Sequence, residues 1–88
     1  MGDTIIIGNW KLNGDYDICR NRARNIKNLC AQYSNNNIVL CPPFPFLNIV
    51  NTEIDDSKLQ LGAQDCHIHE QGAYTGDVSA SMLQSLNC

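Results

Sequence analysis

The chain has 88 residues, enough for one small domain whose core is marginal on surface-to-volume grounds. Six Lys and Arg against nine Asp and Glu leave a net charge of −3, which argues against nucleic acid or an anionic membrane as a partner. No apolar run approaches the ~20 residues of a membrane span, and the opening Met1-Gly2-Asp3 lacks the regions of a secretory signal, so a cytoplasmic chain is expected.

The first element is the apolar run Thr4-Ile5-Ile6-Ile7, ending in Gly8 and handing over to Asn9-Trp10-Lys11-Leu12-Asn13-Gly14. Such a β-branched run reads as a buried strand opening into a polar loop. If the chain stays extended past Gly8, Asn9 and Lys11 point to one side and Trp10 to the other. An amide donor and an ammonium then share the carboxyl end of a strand, where α/β folds bind ligands. Asp15-Tyr16-Asp17 offers N-caps and negative charge for a helix start. Cys19, Ala23, Ile26, Cys30 and Tyr33 then form an amphipathic stripe, with Arg20, Arg24 and Lys27 outside it. Ser34-Asn35-Asn36-Asn37 breaks the helix.

Ile38–Cys41 is a second short strand, halted by Pro42-Pro43 because proline donates no ladder bond. Pro45 suits the first turn of a second helix, about Phe46 to Glu53, with Leu47, Val50 and Ile54 at helical spacing. Asp55-Asp56-Ser57 is a turn and Leu59–Gln64 a third strand. A long polar loop, Cys66–Gly76, leads to a third helix, Val78–Leu86, with Val78, Met82 and Leu86 on one face. Asn87 can take the left-handed position just beyond it. The order β-α-β-α-β-α, with short turns and no linker or repeat, implies a parallel sheet.

The motifs exclude several chemistries. Gly8 and Gly14 match neither Gly-x-Gly-x-x-Gly nor a phosphate loop, in which Lys follows the last Gly. Pro42-Pro43-Phe44-Pro45 lies between a strand and a helix and reads as a rigid turn rather than a polyproline ligand. Gly2 fails as a myristoylation signal because position 6 is Ile. The basic residues Arg20, Arg22 and Arg24 fall largely on a solvated helix face. Five cysteines, at 19, 30, 41, 66 and 88, are odd in number and form no Cys-x-x-Cys pair, so reduced thiols are expected, mostly as small apolar fillers. Cys66, His67 and His69 group ligand types in one short stretch without a partner elsewhere, and structural Cys and loop His are the better reading; no metal site is expected.

Four segments together resemble one family. They are Gly8-Asn9-Trp10-Lys11-Leu12-Asn13-Gly14, Leu40-Cys41-Pro42-Pro43, Leu61-Gly62-Ala63-Gln64-Asp65 and Gly72-Ala73-Tyr74-Thr75-Gly76-Asp77-Val78-Ser79-Ala80. In order and spacing they resemble the amino-terminal part of triosephosphate isomerase. Leu12, Asp65 and Asn87 depart from the common residues without removing a needed chemical group. The resemblance implies an α/β fold, the first three β/α units of a (β/α)8 TIM barrel, incomplete as given. Residues 1–88 would be an amino-terminal fragment of a single TIM-barrel domain, since such a barrel needs eight strands and typically ~250 residues.

The resemblance also implies an activity: interconversion of dihydroxyacetone phosphate and glyceraldehyde 3-phosphate through an enediolate, without metal or cofactor, in glycolysis and gluconeogenesis. Lys11 would place its ammonium near the phosphate and the oxygens that become negative, Asn9 would orient the same group, and Gln64 would be a buried polar support beneath the first loop. Trp10 reads as packing. Thr75, with Tyr74 and Gly76, would enter a pocket of a partner subunit beside that subunit's Asn and Lys, which implies a homodimer. Neither member of the catalytic acid/base pair is present: His67 and His69 lie in the third loop and do not occupy the electrophile's place, and the glutamate base belongs to a later unit. The 88 residues alone are therefore expected to be inactive. A non-catalytic phosphate-binding, dimerising module and one half of a split enzyme remain as alternative readings.

Overall fold

The computed structural model describes residues 4–32 and 37–88. Strand β1 (Ile5–Asn9) leads to helix α1 (Tyr16–Cys30) and strand β2 (Asn37–Cys41). A 3-10 turn, Phe44–Phe46, runs into α2 (Leu47–Ile54), followed by β3 (Gln60–Leu61) and α3 (Ala80–Gln84). The strands form one parallel sheet in the order β1-β2-β3. Ile5 pairs with Asn37 and Asn9 with Cys41, so β1 and β2 finish level; Val39 pairs with Gln60 and Leu40 with Leu61.

Helix α1 starts where its cap dictates. The Asp15 carboxylate accepts the Ile18 N–H at 2.8 Å, satisfying one of the donors a helix start leaves open. Cys19 and Ala23 are fully buried on the expected stripe, with Ile26 packed beside them. Tyr33 and the break at Ser34, Asn35 and Asn36 lie outside the described residues. Outside the stripe, Arg24 pairs with Glu53 at 2.8 Å and Lys27 with Asp56 at 3.0 Å, tying α1 to the end of α2.

One core cluster joins Trp10, Cys19, Ala23, Leu40, Leu47, Val50, Ile54, Leu61 and Leu83. Strand β2 shows the two-residue alternation: Ile38 and Leu40 pack into this core, while Val39 and Cys41 flank Gly62, where an added Cβ would lie 2.9 and 2.8 Å from their side chains.

Three expectations need correction. The run on β1 is not buried: Ile5, Ile6 and Ile7 are 61, 46 and 63 % exposed, because β1 is a sheet edge and no described element covers it. The third strand is two residues long rather than six, since β2 offers it a ladder only up to the prolines at 42 and 43. Helix α3 is shorter than Val78–Leu86 and turns a different residue inward: Leu83 is buried and Met82 is 52 % exposed. Ser79 is the reason. Its hydroxyl caps the helix by accepting the Met82 N–H at 3.2 Å, while the Val78 carbonyl takes the His67 N–H at 2.7 Å in an extended bridge. Beyond α3, Asn87 has φ +68°, the left-handed position anticipated for it.

Candidate active site

The polar loop after β1 is fixed by bonds that begin at the sheet. The Trp10 N–H continues the β1–β2 ladder to the Cys41 carbonyl at 3.1 Å, and the buried indole sits in the core. At Lys11 the chain leaves the extended conformation, with φ +57°. Asn9 and Lys11 therefore do not alternate as strand residues. Instead the Asn9 Oδ1 accepts the Lys11 N–H at 2.9 Å, which stabilises the turn and leaves the Asn9 Nδ2 as a donor. A left-handed lysine costs about 1–2 kcal/mol, so surrounding contacts must impose it.

Those contacts come from both flanks. The Asn13 Nδ2 donates to the Trp10 carbonyl at 3.0 Å. The Gln64 Nε2 donates to the Lys11 carbonyl at 3.0 Å and to the Cys41 carbonyl at 2.8 Å, bridging the first loop and the end of β2 from the segment after β3. Gln64 as a residue is exposed rather than buried, because no described element covers the side chain beyond its two hydrogen bonds. Gly14 closes the loop at φ +103°, where a Cβ would stand 2.7 Å from the Cys19 Sγ. Burial pushes the Cys19 thiol up; the nearby Arg22 cation partly offsets this and Asp15 adds to it. Burial likewise raises the Cys41 thiol, so both are poor nucleophiles. The exposed Lys11 has no ion-pair partner among the described residues.

The loop after β3 has a different character. The His69 N–H donates to the His67 Nδ1 at 3.0 Å, and the His67 Nε2 faces the Asp77 carboxylate at 3.8 Å. The rings of His67 and His69 lie 4.3 and 5.0 Å from that of Tyr74. Tyr74, Thr75 and Gly76 form the exposed tip, with Gly76 at φ +91° and the Asp77 N–H closing a turn onto the Tyr74 carbonyl at 3.0 Å. Among the described residues no hydrogen bond joins this tip to the first loop, and no three His, Cys, Asp or Glu form a metal-ligand group.

The chain as a whole has relatives among known proteins. A family model described as triosephosphate isomerase matches residues 4–88. The chain belongs to the triosephosphate isomerase family. It is 44 % identical over 90 residues to the triosephosphate isomerase of Hahella chejuensis, covering 100 % of this chain and 35 % of that protein. The corresponding figures for the Blochmanniella pennsylvanica protein are 42 % over 87 residues, 99 % and 34 %. A crystal structure of triosephosphate isomerase from Bartonella henselae superposes with a TM-score of 0.85 at 30 % identity, covering 97 % of this chain and 35 % of that one. The chain thus spans about a third of the length of the curated relatives it matches, and its open three-stranded sheet is an incomplete TIM barrel, an amino-terminal portion.

Of the residues expected to form the site, the structure brings Asn9, Lys11 and Gln64 together at the ends of β1 and β2. Two participants were not anticipated. Asn13, part of the first-loop motif, also holds the Trp10 carbonyl. Arg22, expected largely on a solvated face, sets its guanidinium 5.0 Å over the Trp10 ring. Its spacing of three from Cys19 places both on one helix face, and that is the signal that could have found it.

Proposed function

We propose that the native protein carrying these residues isomerises dihydroxyacetone phosphate and glyceraldehyde 3-phosphate through an enediolate, in glycolysis and gluconeogenesis. The supporting observation is the first loop, where a left-handed Lys11 is held between Asn9 and Gln64 by backbone bonds. A backbone held in this way sets where the Lys11 side chain starts, and a cation presented from it stabilises negative charge as it develops on the substrate. In this reading Lys11 and the Nδ2 of Asn9 bind substrate, and Gln64 supports them. Thr75, Tyr74 and Gly76 form a subunit contact that makes the protein a homodimer in the cytoplasm.

Residues 1–88 then form an amino-terminal fragment of a single barrel domain and are inactive alone, because neither the histidine electrophile nor the glutamate base of the family has a counterpart among them. The exposed isoleucines of β1 support this reading, since they leave apolar surface uncovered. An intact mass of the native protein and a coupled isomerase assay, run on that protein and on the purified 88 residues, test it together. A mass near ~27 kDa, as for a barrel of ~250 residues, with turnover only in the native protein, is expected. Turnover by the 88 residues alone, with host enzyme excluded, would refute the fragment's inactivity. A native mass of 9.8 kDa would turn the reading toward a phosphate-binding module or a split enzyme.

A further inference from the structure

Helix α1 presses on the first loop at two points, three residues apart on one face. At one, the Cys19 Sγ fills the space under Gly14, so close that a Cβ there would lie 2.7 Å away. At the other, the half-buried Arg22 sets its guanidinium 5.0 Å from the centre of the Trp10 ring. Trp10 is the last residue tied to the sheet before the chain turns left-handed at Lys11. Its N–H is bound by the Cys41 carbonyl and its own carbonyl by Asn13, leaving the ring as its remaining handle. A cation over the indole face is attracted by the ring quadrupole, and tryptophan is the strongest aromatic partner for it.

We infer that Arg22 is a positioning residue: by clamping the Trp10 ring it fixes the backbone from which the Lys11 ammonium is presented. This rests on the reading of Lys11 as a substrate ligand, but the clamp itself is a statement about the loop and is measured separately. Arg22 makes no ion pair among the described residues, so its interaction with Trp10 is its assigned role. Cys19 supplies the second point of the grip by packing alone.

The test uses the native protein with Arg22→Met, which keeps an apolar stem on the ring but removes the cation, and Arg22→Lys, which restores a cation. Arg22→Gln is a second uncharged variant should Arg22→Met fail to fold. Two readouts are taken: kcat/KM for the triose phosphate, and hydrogen exchange at the Trp10 and Lys11 amides. Arg22→Met is expected to lower kcat/KM by about 3- to 30-fold, the range spanned by one cation–π contact. It should also speed exchange at those two amides, with the β1 and β2 amides unchanged. Arg22→Lys should recover most of both effects, which a purely packing role would not predict. Unchanged exchange in Arg22→Met overturns the clamp. Faster exchange with an unchanged kcat/KM overturns the positioning of Lys11. An unsubstituted native protein without isomerase activity overturns the functional reading, and the exchange data then decide the clamp on their own.

Discussion

The loop after β1 and the loop after β3 are both polar and glycine-punctuated, yet they are held in different ways. Residues Trp10 to Gly14 are gripped from three directions: by the β2 end through Trp10, by Gln64 through the Lys11 carbonyl, and by α1 through Cys19 and Arg22. Residues 72–76 pack within their own loop, Tyr74 against the rings of His67 and His69, and an added Cβ at Gly76 would meet nothing within 4 Å. The difference teaches what each loop can do. A loop that presents a charge to a reacting substrate must be placed before the reaction, and immobilisation by the scaffold supplies that. A loop that docks on a second surface needs exposed side chains, and its final order comes from the partner.

The largest expected effect follows from the gripped loop. Replacing Lys11 by Ala in the native protein should lower kcat by at least ~10²-fold, as for loss of one electrostatic stabiliser. The fold should persist, because the exposed side chain supports nothing else. A near-normal rate would remove Lys11 from the site and erase the functional side of the contrast.

The glycines sharpen the structural side. Gly14→Ala meets both a φ of +103° and the Cys19 sulfur, so a loss of about 2–3 kcal/mol is expected from thermal or urea unfolding. Gly76→Ala meets only its φ of +91°, and about 1 kcal/mol is expected. Equal costs at the two positions would mean that the first loop is no better packed than the third.

Gln64→Leu tests the bridge between β3 and the first loop. It removes the donor shared by the Lys11 and Cys41 carbonyls, and the Cys41 carbonyl keeps the Trp10 N–H. About 1–2 kcal/mol of stability should go, in line with the loss of a shared donor from partly buried acceptors. Normal stability together with normal kcat would show that Gln64 is a bystander.

Much of this organisation is legible in the residues. Asp15 announces the α1 start, Leu47, Val50 and Ile54 mark the inner face of α2, and Asn87 takes the left-handed position. These features depend on local chemistry or on a periodic face long enough to enforce itself. The misreadings share an opposite cause. The burial of Ile5, Ile6 and Ile7 depends on neighbours that the described residues do not provide. The inner face of α3 was misplaced because a helix of five residues barely exceeds one turn, so the Ser79 cap, not the 78-82-86 spacing, sets its rotation. Asn9 and Lys11 share a side only on an extended chain, and nothing in the Lys11 side chain discloses that Asn9 folds back onto its N–H. The hold of Arg22 on Trp10 joins a helix to a loop, and periodicity within one element does not report contacts between two.

The smallest effect lies away from both loops and serves as their control. Glu53 is held below its ordinary value of 4.5 chiefly by the hydrogen bonds from Arg24, and Asp56 below 3.8 chiefly by the one from Lys27. A depressed carboxylate contributes stability that is present above its ordinary value and lost as pH falls through its folded value. Stability from the α1–α2 pairing should therefore be flat between pH 7 and about pH 5 and begin to fall below about pH 4.5. Glu53→Gln should lower the thermal midpoint only slightly at pH 7, because the Arg24 side of the pair is half exposed to solvent, and the deficit should shrink in high salt. Its unfolding curve should approach that of the unsubstituted protein as pH falls through the folded value of Glu53, below which the glutamate is protonated in both states. Because α1 carries Cys19 and Arg22 on a different face, amide exchange at Trp10 and Lys11 should not respond to Glu53→Gln. A response there would mean that the grip on the first loop is set by how α1 docks on α2 rather than by the contacts at Gly14 and Trp10.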